Sequence, residues 1–408
     1  MTSTGEEEQE QEKQQEPKYP GWEPLSGVPN ATDPFFEKFL VLRSFDTFSS
    51  NIYLIMGDYL TIVDPGNDYT AFMDLFNVEL RAARITPANI KKVVLTHGHP
   101  DHAMGALELL RYPAIVEGGG FELILHEAAP SQFKEILEQS GSRSRVTEVR
   151  GGETLELSGL EWEVIHTPGH TIDGICLYHA PTKTVFTGDM VLPHAMAEPD
   201  KHAGGRLDHY LFGLKALLKR DIENVLPGHG LPVVSGGRRV IEETYEGVMM
   251  KIIGIESETK ASWMQGATAL AQRGLLEEAV FCCEKEIACH PENLKAFELK
   301  AMCLNDLGRG SEALEAFDKV LAQKGDNAFA LTGKGCALLG LGKYNESLSY
   351  FENALRIEPR MKEAQVYKGM ALYLSGKYDE AMDIQVFRTE FVGRFKEELL
   401  KKGKPATA

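Results

Sequence analysis

The chain has 408 residues, of which 43% are hydrophobic and 25% charged, and a formal net charge of −17. That length predicts two or three domains, since a single core stops growing near 250–300 residues. The sequence contains no run of about 18 apolar residues and no basic-then-apolar leader, so membrane spanning and secretion are not expected and a cytoplasmic protein is.

The charge is unevenly spread. Residues 1–20 carry −4, residues from Lys260 onward carry 21 acidic and 21 basic side chains, and the remaining −13 falls on residues 21–259. An acidic region repels phosphate backbones, which argues against a nucleic-acid substrate. The six cysteines, Cys176, Cys282, Cys283, Cys289, Cys303 and Cys336, form no C-x-x-C pair. They are expected to be reduced thiols.

In chain order, the Glu/Gln-rich segment 1–20 reads as a disordered acidic arm. "NIYLIMGDYLTIVDPG" (Asn51–Gly66) predicts two strands around a Gly-Asp turn, with a helix near Tyr69–Ala83. "IKKVVLTHGHPDH" runs a β-branched strand into a cluster of histidines. "LEWEVIHTPGH", "GICLYHA" and "KTVFTGDM" are further strands, Arg206–Arg220 has helical periodicity, and "IENVLPGHG" is one more strand and loop. Alternating strands and helices make residues 21–259 an α/β domain. "YEGVMMKIIGIESETK" predicts a helical joint between this domain and the C-terminal region.

From Lys260 a 34-residue period takes over, with units starting at Lys260, Leu294, Ala328 and Lys362. The eighth position is Ala267, Ala301, Gly335 and Gly369, and the twentieth is Ala279, Ala313, Ser347 and Ala381. The fifteenth is Gly in all four units: Gly274, Gly308, Gly342 and Gly376. Small residues let two antiparallel helices cross closely, and the Gly ends the first of them. The pattern resembles the tetratricopeptide repeat, so residues 260–408 are expected to be an all-α domain of four repeats. "VFRTEFVGRFKEELLKK" is expected to be its capping helix. Positions five, six and nine lack the Lys, Arg and Asn of repeats that clamp a terminal carboxylate. They read Met264, Gln265, Thr268, then Glu298, Leu299, Met302, then Thr332, Gly333, Cys336, then Val366, Tyr367, Met370. A less polar groove is expected, contacting a protein partner or another copy of the chain.

The chemistry lies in "THGHPDH" (Thr96–His102). Residues two apart on extended chain face the same way, so His97 and His99 can converge on one metal ion, while Asp101 and His102 can face a second. Imidazole with carboxylate suits zinc, and also iron or manganese. Further donors follow strands in Gly-bearing loops: His170 in "HTPGH", Asp189 in "TGDM" and His229 in "LPGHG".

Together these motifs resemble the metallo-β-lactamase superfamily over about residues 36–255. The resemblance implies an αβ/βα sandwich holding two zinc ions, the first on His97, His99 and His170 and the second on Asp101, His102 and His229, bridged by Asp189. It implies a hydrolase in which a bridging hydroxide attacks and the leaving group is stabilised by the second metal or protonated through Asp101. Asp64 in "VDPG" matches a supporting aspartate of the family and equally a turn-former. His166 is expected to pack rather than ligate. His194, His209 and Tyr210 are candidate substrate contacts, with Tyr210 equally readable as a helix-face residue.

"HTPGHT", "FTGD" and "PGHG" are most similar to the glyoxalase II and lactonase-like branch, which implies a small ester, thioester or lactone as substrate. Asp189 in place of Cys argues against a true β-lactamase. The 39 residues between Asp189 and His229 leave no room for a nuclease insertion. Two alternatives stand beside this reading: a persulfide dioxygenase-like enzyme binding one iron through His97, His170 and Asp189, and a repeat scaffold whose metal domain is vestigial.

Overall fold

The structure is a computed structural model, described here for residues 22–43, 49–67, 86–140, 145–254 and 262–390. The acidic arm, the helix expected near Tyr69–Ala83, residues 255–261 of the joint and the cap beyond residue 390 lie outside the described residues. The chain divides into two compact units, Met1–Ile252 and Ile253–Ala408.

The first unit is built on two sheets. β1 (Trp22–Pro24), β2 (Phe39–Leu42), β3 (Ile52–Met56), β4 (Leu60–Val63), β5 (Ile90–Val94), β6 (Glu122–His126) and β7 (Val146–Val149) form one in sequential order. β8 (Thr154–Leu157), β9 (Leu160–His166), β10 (Ile175–His179), β11 (Thr184–Gly188) and β12 (Asn224–Pro227) form the other, in the order β12-β11-β10-β9-β8. The "IYLI" run of β3 is buried throughout because both faces of its sheet are covered. Ile52 and Leu54 pack with Ala106, Leu109 and Phe133 of the helical layer, while Tyr53 and Ile55 pack with Trp162 and Phe186 of the second sheet. The Tyr53 and Phe186 rings meet edge-on at 5.1 Å. The helices Leu207–Leu218 and Gly237–Ile252 contact β9 and β12 of the second sheet, so helices flank both sheets and the sheets cover each other, which is the αβ/βα sandwich.

Strand direction brings the donor loops to one edge. β4 and β5 are parallel, so Asp64 and the "THGHPDH" loop leave the sheet side by side. β11 and β12 are parallel, so Asp189 and His229 do the same. β10 is antiparallel to both β9 and β11, so β9 runs the same way as β11 and delivers His170 to that edge too.

In the second unit, helix pairs Trp263–Gln272 with Leu276–Cys289, Leu294–Asp306 with Gly310–Gln323, Ala328–Gly340 with Tyr344–Ile357, and Lys362–Leu374 with Tyr378–Asp383 follow the 34-residue period. Gly274, Gly308, Gly342 and Gly376 have φ of +77°, +75°, +76° and +84°. In the first repeat Gly274 N–H donates to Ala271 C=O and Leu275 N–H to Leu270 C=O, the paired bonds that end a helix through a left-handed residue. The residues at positions eight and twenty are all buried. Residues 385–390 are helical and Phe387 is buried against Leu372 and Ala381.

No helix among the described residues is long and apolar enough to cross a membrane.

Candidate metal centre

The seven expected donors come together at the shared sheet edge. Three groups have ligand atoms all within 4.8 Å of one another: His97, His99 and His170; His97, His102 and Asp189; and Asp101, His102 and His229. Asp189 contacts both sides, with Oδ2 3.7 Å from His170 Nε2 and Oδ1 3.7 Å from His229 Nε2. His97, His102 and Asp189 are buried, and the other four are half-buried.

The outward nitrogens determine what the inward ones can do. His99 Nε2 lies 3.1 Å from Asp200 Oδ2, and His170 Nδ1 lies 2.7 Å from the Glu198 carbonyl, so both N–H groups point away from the cluster. Thr96 Oγ1 donates to Asp64 Oδ2 and therefore accepts from His97 Nδ1, 3.2 Å away. His102 Nδ1 donates to Asp64 Oδ2 at 2.8 Å. Three inward lone pairs then converge: His99 Nδ1 lies 3.1 Å from His97 Nε2 and 2.9 Å from His170 Nε2. Lone pairs facing one another at this range repel unless a cation lies among them. His102 Nε2 and Asp189 Oδ1, buried and 3.4 Å apart, make no hydrogen bond with any described group. Each of these observations fits a divalent metal, and outer partners that orient each imidazole are usual around such ions.

The electrostatics follow from burial and crowding. Burial, reinforced by His102, pushes His97 well below the ordinary histidine value. Burial also lowers His170. At His102 burial opposes the charged form, but the carboxylates of Asp189 and Asp64 outweigh it and hold the imidazole well above its ordinary value. Asp189 is held well below the carboxylate range, because His102, His97 and His229 outweigh its desolvation. Asp101 is also held down, its burial offset by His229 and His102.

Close backbone approach makes this density possible. A Cβ at Gly228 would lie 2.5 Å from Asp189 Oδ1 and 2.6 Å from His102 Cε1. The His229 loop is tied to β3, with Asn51 Nδ2 donating to the Pro227 and Gly230 carbonyls and Tyr53 Oη to that of Pro227.

Asp64 is both things the sequence allowed. It has φ +52°, as a turn residue, and its carboxylate accepts from Thr96 N–H, Thr96 Oγ1 and His102 Nδ1. His166 stacks on His126 at 4.2 Å and pairs Nε2 with the Ile172 carbonyl, away from the donors. Tyr210, the third candidate contact, is fully buried on the helix Leu207–Leu218, and its hydroxyl donates to the Asp189 carbonyl and so braces that loop. His209 is half-buried, and its buried Nδ1 makes no hydrogen bond with any described group. His194 is exposed, with φ +62°.

Sequence reasoning missed Asp200, Glu198 and Asp173. The first two sit in a polar stretch with no pattern, and their partners His99 and His170 are 101 and 28 residues away. Asp173 carried a signal, an acid three positions past His170 in the same loop. It is buried with Oδ2 3.1 Å from where a Cβ at Gly98 would lie, and burial pushes its carboxyl up.

Comparison with known proteins agrees with this architecture. The sequence pattern of the metallo-beta-lactamase superfamily matches residues 45–229, and that of a tetratricopeptide repeat matches residues 332–385. A Bacillus subtilis protein named "Probable metallo-hydrolase YqjP" is 28% identical, over 45% of this chain and 68% of its own length. An uncharacterized protein of Mycobacterium leprae is 30% identical, over 47% of this chain and 90% of its own. The atrochrysone carboxyl ACP thioesterase AacuM of Aspergillus aculeatus is 27% identical over 44% of this chain, which spans 50% of that relative's length. With the donor cluster and the sandwich in agreement, the chain belongs to the metallo-beta-lactamase superfamily, and a tetratricopeptide repeat region follows the domain that holds the cluster.

Proposed function

We propose that the protein is a metal-dependent hydrolase of a small ester, thioester or lactone, of the glyoxalase II and lactonase-like branch. It holds two zinc ions, the first through His97, His99 and His170 and the second through Asp101, His102 and His229, with Asp189 between them. The observation that carries this reading is the pair of donor triads flanking one buried carboxylate, with the orienting N–H groups of His99 and His170 turned outward. The relatives named as a metallo-hydrolase and a thioesterase support the reaction class.

When bound, a pair of divalent cations supplies Lewis acidity for the scissile carbonyl and a hydroxide at neutral pH. The chain's own residues provide the rest. Asp101 is ionised and side by side with His229 (3.1 Å), partly open to solvent, so it can take a proton from water and pass it to the leaving group. Asp64 fixes His102 and, through Thr96, His97. Tyr210 fixes the Asp189 backbone. The repeat region serves protein contact, through a partner segment or a second copy. A cytoplasmic setting fits the unpaired cysteines.

The test is metal content per chain, by mass spectrometry, on protein purified without added metal. About two zinc ions in the parent, falling towards one in Asp101→Ala and in His229→Ala, is the expected result. One iron per chain, unchanged in His229→Ala, would overturn the dinuclear hydrolase in favour of the iron-dependent alternative.

A further inference from the structure

A cavity of about 810 Å³ lies between the first strands and two donor loops. Its size falls in the roughly 300–1,000 Å³ range of small-molecule sites. Pro193 and His194 form one wall, four and five residues past Asp189, and the segment Gly230–Val234 forms another, beginning at the residue after His229. These walls touch: a Cβ at Gly230 would lie 3.9 Å from Pro193 Cδ. The remaining wall comes from the chain around β1 and β2, including Gly27, Val28 and Val41. His194 is the one of the three candidate contacts that lines this cavity.

The lining is chemically one-sided. Apart from Glu23, Asn30, Arg43 and His194, its residues are apolar or glycine. Glu23 and Arg43 are paired at 2.7 Å, so the two opposite charges answer each other rather than a ligand. Leu231, 60% exposed, puts an apolar side chain on a wall that begins beside His229. The −13 carried by residues 21–259 disfavours ligands with several phosphates or an acidic carrier.

We infer that this cavity holds the uncharged, aliphatic acyl arm of the substrate, so that the enzyme prefers neutral medium-chain esters or lactones to acyl groups on anionic carriers. The inference rests on the hydrolase reading and narrows its substrate class. Hydrolysis breaks the acyl C–O bond, adds the oxygen of water to the acyl carbon and returns a proton to the departing alcohol oxygen. The acyl chain itself stays unreacted and contributes only burial. Each methylene moved from water into such a cavity gives about a fourfold gain in kcat/KM until the space is full.

The experiment has two arms on the full-length, zinc-loaded protein. The first measures kcat/KM for 4-nitrophenyl acetate, butyrate, hexanoate and octanoate, for γ-decalactone, and for octanoyl-coenzyme A. The second measures binding of 2-decanone, a neutral ketone with no bond to hydrolyse, by calorimetry. Both are repeated in Gly27→Trp and Leu231→Asp. A Cβ at Gly27 meets no atom within 4 Å, so an indole there can be accommodated in open space. The expected result is kcat/KM rising with chain length, 2-decanone bound by the parent, and both the octanoate-to-acetate ratio and ketone affinity falling at least tenfold in one of the variants. Ester cleavage with no chain-length slope and no ketone binding would overturn the inference and leave the hydrolase reading intact. Ketone binding with no ester, lactone or thioester cleaved would overturn the hydrolase reading and leave the apolar site standing. A higher kcat/KM for octanoyl-coenzyme A than for the neutral octanoate would overturn the preference for uncharged substrates.

Discussion

Each imidazole in the cluster has two nitrogens, and the fate of the outer one decides the inner. At His99 that role falls to Asp200, a surface carboxylate 34% exposed, and removing it frees the ring to turn or change tautomer. Asp200→Ala is expected to weaken zinc binding roughly 10–100-fold. Competition with a coloured chelator measures this, and parent-like affinity would remove Asp200 from the site. Gly228 makes the complementary point, since its missing side chain is what lets Asp189 and His102 approach. Gly228→Ala places a methyl 2.5 Å from the Asp189 carboxylate, and this variant is expected to lose bound metal while keeping its far-ultraviolet circular dichroism. Retention of the full metal complement would show that the loop can shift to admit it.

At the scale of elements, strands deliver donors and helix ends deliver repeats. β6 and β9 meet through the stacked rings of His126 and His166. Burial first, and then His166, hold His126 below its ordinary value, against the opposing influence of the Arg150 backbone, Glu127 and Glu153. The unfolded chain therefore takes this proton before the folded one. Stability is undiminished above the ordinary histidine value near 6.5 and declines as pH falls below it towards the lowered folded value. His126→Asn keeps an acceptor for the Ala128 N–H that His126 Nδ1 now receives. Urea midpoints across this range are expected to fall less steeply in that variant, and an equal slope would assign the acid sensitivity elsewhere. In the repeats, a Cβ at Gly335 would lie 2.5 Å from the fully buried Phe351 ring. Gly335→Leu is expected to cost about 1–3 kcal/mol by overpacking, more than the ~1 kcal/mol that leaving glycine returns to a helix. Denaturant unfolding followed by circular dichroism measures it, and an unchanged midpoint would mean that the helix pair separates at little cost.

The whole molecule joins an acidic metal domain to a repeat array whose formal charge is zero. Metal bound only by the folded first unit stabilises that unit by mass action and leaves the repeats unaffected. Scanning calorimetry of the intact chain is therefore expected to show two transitions, of which a strong chelator lowers only one. A single transition that moves as a whole would show that the two units unfold together.

Much of this was legible in the order of residues alone. The seven donors, the strands that precede them and the 34-residue phase of Gly274, Gly308, Gly342 and Gly376 are all local patterns. A donor in a tight loop after an apolar run, or a small residue at a fixed helical position, announces itself within a few residues. What tertiary structure decided is what depends on distant segments meeting. The sequence left Asp64 between two roles, and only the fold puts its carboxylate on both Thr96 and His102. Tyr210 had equal claims as a helix-face residue and as a substrate contact, and only the fold buries its side chain and brings its hydroxyl to the Asp189 carbonyl. Asp200 and Glu198, which turn His99 and His170 outward, sit in a stretch with no periodicity. The apolar cavity likewise arises where the loops after Asp189 and His229 close against the first strands. Local sequence specifies which atoms can bind a metal, because ligand chemistry belongs to the side chain. Which nitrogen of each ring points inward, and what space lies beside it, depend on contacts between segments far apart in the chain, and only folding creates them.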